Sequence, residues 1–385
     1  MTDTRWQPLA RDTAAAEVIA APVRSYWQDV RARLWANKPA VVGLGFIILL
    51  VLAAIFGPML SSHSYRAQDL QLANLPPVFR LNQVGDGKLV YVNAGNLNIY
   101  EVDASGHVIG NIGGGRRDMV NRRTLWEIDG AEVALDYSQP SRGPVLMENG
   151  EPAPVWGRVW NRTYLFGTDQ LGRDVLVRQM MGARISLAVA FVATLVNFLI
   201  GVTYGGLSGY IGGRTDLVMM RIVEIIATIP LTLYVILMMV VLQSGLISVV
   251  LALGTVFWVD MARVVRGQIL TLKQQDYVAA ARTMGASTRR ILTRHLLPNS
   301  VGPILVALTM LIPSAIFIES FMSFIGLGVT PPEASWGTLT SEAVETLRAY
   351  PYQMFFPAAA ISLTMFAFNF LGDGLRDALD PRLRT

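Results

Sequence analysis

Apolar and polar positions in this chain do not mix evenly; they separate into long apolar runs divided by polar intervals. Six runs, at about 39–60, 184–204, 216–242, 246–266, 300–325 and 354–373, have the length of roughly 20 residues needed to cross a hydrocarbon core. The pattern predicts an all-α polytopic membrane protein with six transmembrane helices, and an even number leaves both termini on one side. The third run begins among Arg214, Asp216, Arg221 and Glu224, and Pro230 is placed to kink it. Pro303, Pro313 and Pro357 also fall in or near runs but carry little weight, because proline is common in membrane helices.

The polar intervals differ in kind. Residues 1–38 form a mixed-charge N-terminal segment, with Arg24, Arg31, Arg33 and Lys38 ahead of the first run, which reads as an uncleaved first helix. Residues 61–165 are rich in Gly, Asn, Asp and Pro. There Leu89–Val92 and Leu97–Tyr100 flank an Asn93–Asn96 turn, and Asp129-Gly130 and Asn149-Gly150 mark two more hairpins. A small β-rich insertion is expected, either a docking surface or lid for a soluble partner or a plain spacer. From 166 the chain returns to membrane-type sequence. The interval 270–298 is a helix-prone island, too charged for lipid. Gly285 is placed to stop a first short helix and Ser287 to cap a second, with Ala279, Ala280 and Ala281 forming a small-residue face and Pro298 fixing the outer end.

Charge sets the orientation. Residues 263–298 carry Arg263, Arg266, Lys273, Arg282, Arg289, Arg290 and Arg294 against Asp276, and the tail adds Arg376, Arg382 and Arg384. Positive short loops mark the cytoplasmic side, so the island and both termini are expected there. The loop after the fifth run has Glu333, Glu342 and Glu345 against Arg348, as expected of the outer face. Residues 61–165 then lie outside, since long loops cross regardless of their arginines. A 52% hydrophobic, 16% charged composition fits lipid, and a net charge of +4 with arginines at the edges of runs argues against nucleic acid.

Catalytic chemistry is sparse. The absence of cysteine excludes disulfides and thiolate sites, and the three histidines, His63, His107 and His295, share no metal-ligand spacing. The sequence has no phosphate-binding loop of the Gly-x-x-x-x-Gly-Lys-Ser/Thr type, so ATP chemistry would need a partner. Glu319, Asp260 and Asn369, with Asn197 and Gln243, are polar residues inside runs. Glu319 and Asp260 are conduit candidates by default, although Arg263 is placed to pair with Asp260, and Glu319 shows no sequence-local partner. Glycines at 201, 205 and 209 allow close helix approach, within or between subunits.

The island resembles the coupling (EAA) loop of ABC importer permeases, specifically the second membrane subunit of the dipeptide/oligopeptide family. The matching residues are Asp276, Tyr277, Val278, Ala280, Ala281, Arg282, Gly285, Ala286 and Ser287, then Arg294, His295, Leu297, Pro298 and Asn299. Three further stretches resemble the same family: Phe166–Asp174 leading to Gly182–Leu187; Ser323–Val329 with Ser335-Trp336-Gly337; and Asn369–Asp377 with Leu379–Arg382. Ala279 stands where that family has the glutamate naming the loop, Asp276 replaces a usual Glu, and the outer segment is longer than in typical members. The resemblance implies a type I importer permease fold, a homologous permease partner in a heterodimer, two cytoplasmic ATPase subunits that bind ATP and Mg, and an extracytoplasmic peptide-binding protein. It implies no cofactor or metal on this chain and no enzyme activity of its own. Peptide is the expected substrate; nickel, an opine or a peptide antibiotic are the alternatives within the family, and an ATP-independent channel or secondary transporter the alternative outside it.

Overall fold

The structure, a computed structural model, describes residues 25–139, 143–243, 245–330 and 332–379; expectations for residues 1–24 and for Asp380, Pro381, Arg382 and Arg384 lie outside the described residues. Among the described residues, five helices are long and apolar enough to span a membrane, and a bent pair brings the number to six if it is counted as one span.

The N-terminal segment contains a helix the hydropathy pattern did not suggest: α1, Tyr26–Ala36, opened by a capping box at Ser25 and docked through Val30 on Ala378 and Leu379. Asn37 ends it and caps α2, Lys38–Leu60, accepting a hydrogen bond from the Ala40 N–H at 3.2 Å. The second span is longer than expected. Helix α3, Val175–Ile211, has 37 residues, starting where Asp174 accepts from the Leu176 and Val177 N–H groups and ending where Gly212 turns to φ 69°. At 1.5 Å per residue it reaches about 55 Å, longer than the roughly 30 Å hydrocarbon core.

The third run folds as α4, Gly213–Thr228, and α5, Leu231–Leu242, bent by 81°. Pro230 between them lacks the N–H that would continue the ladder. The fourth run forms α6, Leu246–Val256, and α7, Trp258–Leu272, with a break at Phe257. The glycine series settles inside the subunit: a Cβ on Gly201, Gly205 or Gly209 would collide with Met261, the Ala262 backbone or the Arg266 backbone of α7. Asp216 on α4 fixes the other side of α7 by two hydrogen bonds from Arg266, both 2.6 Å.

The island forms α8, Asp276–Thr283, and α9, Thr288–Ile291. Pro298 does not close it. A π turn over Leu292–Leu296 bonds the Leu297 N–H back to Leu292, Pro298 falls in the first turn of α10, Leu297–Asn299, where no N–H is needed, and the chain stays helical to α11, Val301–Phe324. A short helix, α12, Trp336–Val344, separates α11 from α13, Tyr352–Leu379.

The insertion is two five-stranded antiparallel sheets. One has the order β10-β1-β2-β3-β4, from β1 Val78–Val84, β2 Lys88–Asn93, β3 Asn98–Val102, β4 Val108–Asn111 and β10 Val155–Trp160. The other runs β5 Arg116–Asp118, β6 Arg123–Ile128, β7 Ala131–Asp136, β8 Val145–Glu148 and β9 Glu151–Pro152 in sequence order. Asp129-Gly130 and Asn149-Gly150 have both φ angles positive, as tight I′ hairpins require. Val90 and Ile99 of the first sheet pack on Trp126 and Val133 of the second. The root is bolted down: Thr168 Oγ1 accepts from the Leu75 N–H at 2.8 Å, and Tyr352 and Gln353 of α13 both donate to the Thr168 carbonyl.

Candidate coupling site and polar residues of the spans

Local sequence builds the island. Gly285 adopts φ 79°, its N–H donates to the Arg282 carbonyl at 2.9 Å, and the Ala286 N–H reaches the Ala281 carbonyl at 3.0 Å, the paired bonds of a Schellman stop. Ser287 Oγ then accepts from the Arg290 N–H at 3.3 Å and starts α9. Val278 and Ala281, one turn apart on α8, are buried against Met261, Ile269, Ile291 and Leu296. Ala281 therefore belongs to the chain's own core, unlike Ala279 and Ala280, which are exposed beside Asp276 and Tyr277. Arg282 lies 5.3 Å from the Tyr210 ring centre and Met284 is 82% exposed. The arrangement is an exposed surface whose single carboxylate is Asp276, with exposed Arg289, Arg290 and Arg294 beyond it.

The three conduit candidates are not brought together. Glu319 is fully buried and does have a sequence-local partner: Ser323, one turn on, donates to Oε1 at 2.9 Å, while Ser186 of α3 donates to Oε2 at 2.8 Å. Its environment is an inter-helix hydrogen-bond cluster. The Asp260 side chain is 77% exposed and pairs with Arg263 at 3.3 Å, as the spacing suggested. Asn369 is half-buried on α13.

Sequence reasoning missed one polar cluster. Asp169 accepts from Arg173 Nε at 2.6 Å and Arg178 Nη1 at 2.7 Å, and Glu342 accepts from Arg173 Nη2 at 2.8 Å and Arg178 Nη1 at 2.7 Å. The only signal was Arg178 itself, a charge a few residues ahead of the second apolar run. A cleft of about 470 Å³ lies over the cluster, lined also by Tyr65 and Arg66. The hydrogen bond to Glu333 pushes the Arg66 guanidinium above its ordinary value. Among the described residues no group of His, Asp and Glu has metal-site geometry.

The oligopeptide transport system permease protein OppC of Bacillus subtilis is 38% identical over 98% of this chain and 97% of its own length. The chain belongs to the OppC–DppC family of transport permeases. The dipeptide transport system permease protein DppC of the same organism is 40% identical over 96% of this family member and 90% of itself. The profile of binding-protein-dependent transport system inner membrane components matches residues 201–385, and that of the N-terminal domain of oligopeptide transport permease C matches 25–77. The MetNI methionine ABC transporter structure aligns at 21% identity and a TM-score of 0.46, covering 54% of this chain and 96% of that one.

Proposed function

We propose that this permease forms one half of the conduit of an ATP-driven importer of di- and oligopeptides in the cytoplasmic (inner) membrane of a bacterium, with both termini cytoplasmic. The near full-length likeness to OppC carries the reading. The other half is a homologous permease, and two ATPase subunits bind ATP and Mg at the cytoplasmic face. Asp276, Tyr277, Ala279, Ala280, Arg282, Gly285 and Ser287 meet an ATPase, while Ala281 holds α8 to the body so that the island moves with its spans. Loaded binding protein docks on the outer face, ATPase closure shifts the coupling helix, and peptide passes through a cavity between the two permeases. Packed helices of this kind switch between discrete arrangements and do not bend smoothly, which is what alternating access needs.

The test is uptake of labelled di- to pentapeptides into proteoliposomes holding the whole complex, with intact ATPases or ATPases carrying a dead phosphate loop. Uptake should require the intact ATPases. Uptake that survives the dead loop would favour a channel or secondary transporter. ATP-dependent uptake of nickel or an opine, and not of peptide, would keep the importer and replace the substrate.

A further inference from the structure

Two stretches that the coupling surface leaves unused, 166–186 and 319–342, meet at the outer end of the bundle and grip α12 at both ends. At its start, Ser335 caps the helix by accepting from the Thr338 N–H at 3.2 Å, and its hydroxyl lies 3.3 Å from that of Ser323 on α11. The Trp336 N–H donates to Ser186 Oγ of α3 at 3.3 Å, the hydroxyl that donates to Glu319. The Trp336 ring is fully buried, with its indole N–H on the Gln179 carbonyl at 3.2 Å. A Cβ on Gly182 would press on Trp336, and one on Gly337 on the Ser320 backbone, so these elements touch nearly backbone to backbone. At the far end, Glu342 receives Arg178, whose side chain is 1% exposed and also holds Asp169.

A helix pinned at one end could swing. Pinned at both ends, α12 cannot leave without taking Trp336 and Ser335 from Ser186 and Ser323, the two hydroxyls that hold Glu319, and without leaving the buried Arg178 short of a carboxylate, which is costly. Close-packed contacts of this kind move as blocks. We propose that α12 travels as one rigid block with the outer ends of α3 and α11 throughout the transport cycle, with Glu319 and Glu342 as its positioning residues, acting through Ser186 and Arg178. The proposal rests on the transport reading above. The insertion, tied to the loop at Thr168, would ride on the same block, so force applied by a docked protein reaches two spans at once.

The sequence has no cysteine, so Ser323→Cys with Ser335→Cys supplies a lone thiol pair where two hydroxyl oxygens stand 3.3 Å apart. In the assembled complex, oxidation to a disulfide should leave peptide uptake within about twofold of the reduced form, because the bond only joins what already moves together. Uptake lost on oxidation and restored by dithiothreitol would overturn the proposal, since α12 would then have to detach. Glu342→Gln should cut the binding protein's stimulation of ATP hydrolysis about tenfold, with basal hydrolysis and complex yield unchanged and partial rescue by Glu342→Asp. Unchanged stimulation would remove the positioning role. If the parent complex itself shows no stimulation, the transport reading has failed and not the block.

Discussion

Gly285 is the residue on which the island turns. Its φ of 79° strains any residue with a Cβ by about 1–2 kcal/mol, most of all a β-branched one. Gly285→Val should leave the chain in the membrane and the complex assembled, but abolish stimulation of ATP hydrolysis by the binding protein. Gly285→Asn, which tolerates the left-handed region, should retain most of it; equal loss in both variants would mean that the side chain and not the backbone is at fault. Gly285 and Ser287 were legible from the sequence because a helix stop and a cap are settled within a few residues of themselves. The facing of Ala281 was not, since three consecutive alanines look alike until Ile269 and Leu296 define where the body lies. Glu319 shows both failures: Ser323, one turn off, was passed over although local spacing offered it, whereas Ser186 is 133 residues away.

Among the elements, α3 and α7 depend on contact without side chains. A Cβ on Gly205 would run into the Ala262 backbone, while one on Gly267 of the same pair meets nothing within 4 Å. Gly205→Leu should therefore cost about 1–3 kcal/mol through overpacking, seen as a lower unfolding temperature of the detergent-solubilised complex. Gly267→Ala is the control and should change it little. Comparable losses at both positions would argue that helix propensity and not approach distance is being read. The glycine spacing announced close packing but not its partner. Hairpins at Asp129-Gly130 and Asn149-Gly150 were legible because the turn chemistry is local. The break at Phe257 and the π turn before Pro298 were not, because nothing in those residue types departs from helix; tertiary packing sets the break, and the missing N–H of Pro298 is absorbed by backbone register.

At the scale of the molecule, everything about sidedness rests on whether the bent pair, α4 and α5, crosses the membrane. Starting from the N-terminus, α2 places the insertion on the opposite side and α3 returns the chain. If α4 and α5 together cross despite the 81° bend, then α6 and α7 bring the island back to the side of the N-terminus. If the pair turns back, the island emerges on the side of the insertion, and its exposed arginines face the wrong compartment for a positive-inside arrangement. A chain without cysteine decides this cleanly. Met119 is 79% exposed in the insertion and Met284 is 82% exposed on the island. Met119→Cys should react with an impermeant maleimide in intact spheroplasts, and Met284→Cys only after permeabilisation. Labelling of both from outside would require five crossings and move the coupling surface out of reach of any cytoplasmic ATPase. In permeabilised membranes, co-expressed ATPases should shield position 284 and leave position 119 as reactive as before. Sidedness and coupling are thus tested on the same two residues, and they stand or fall separately.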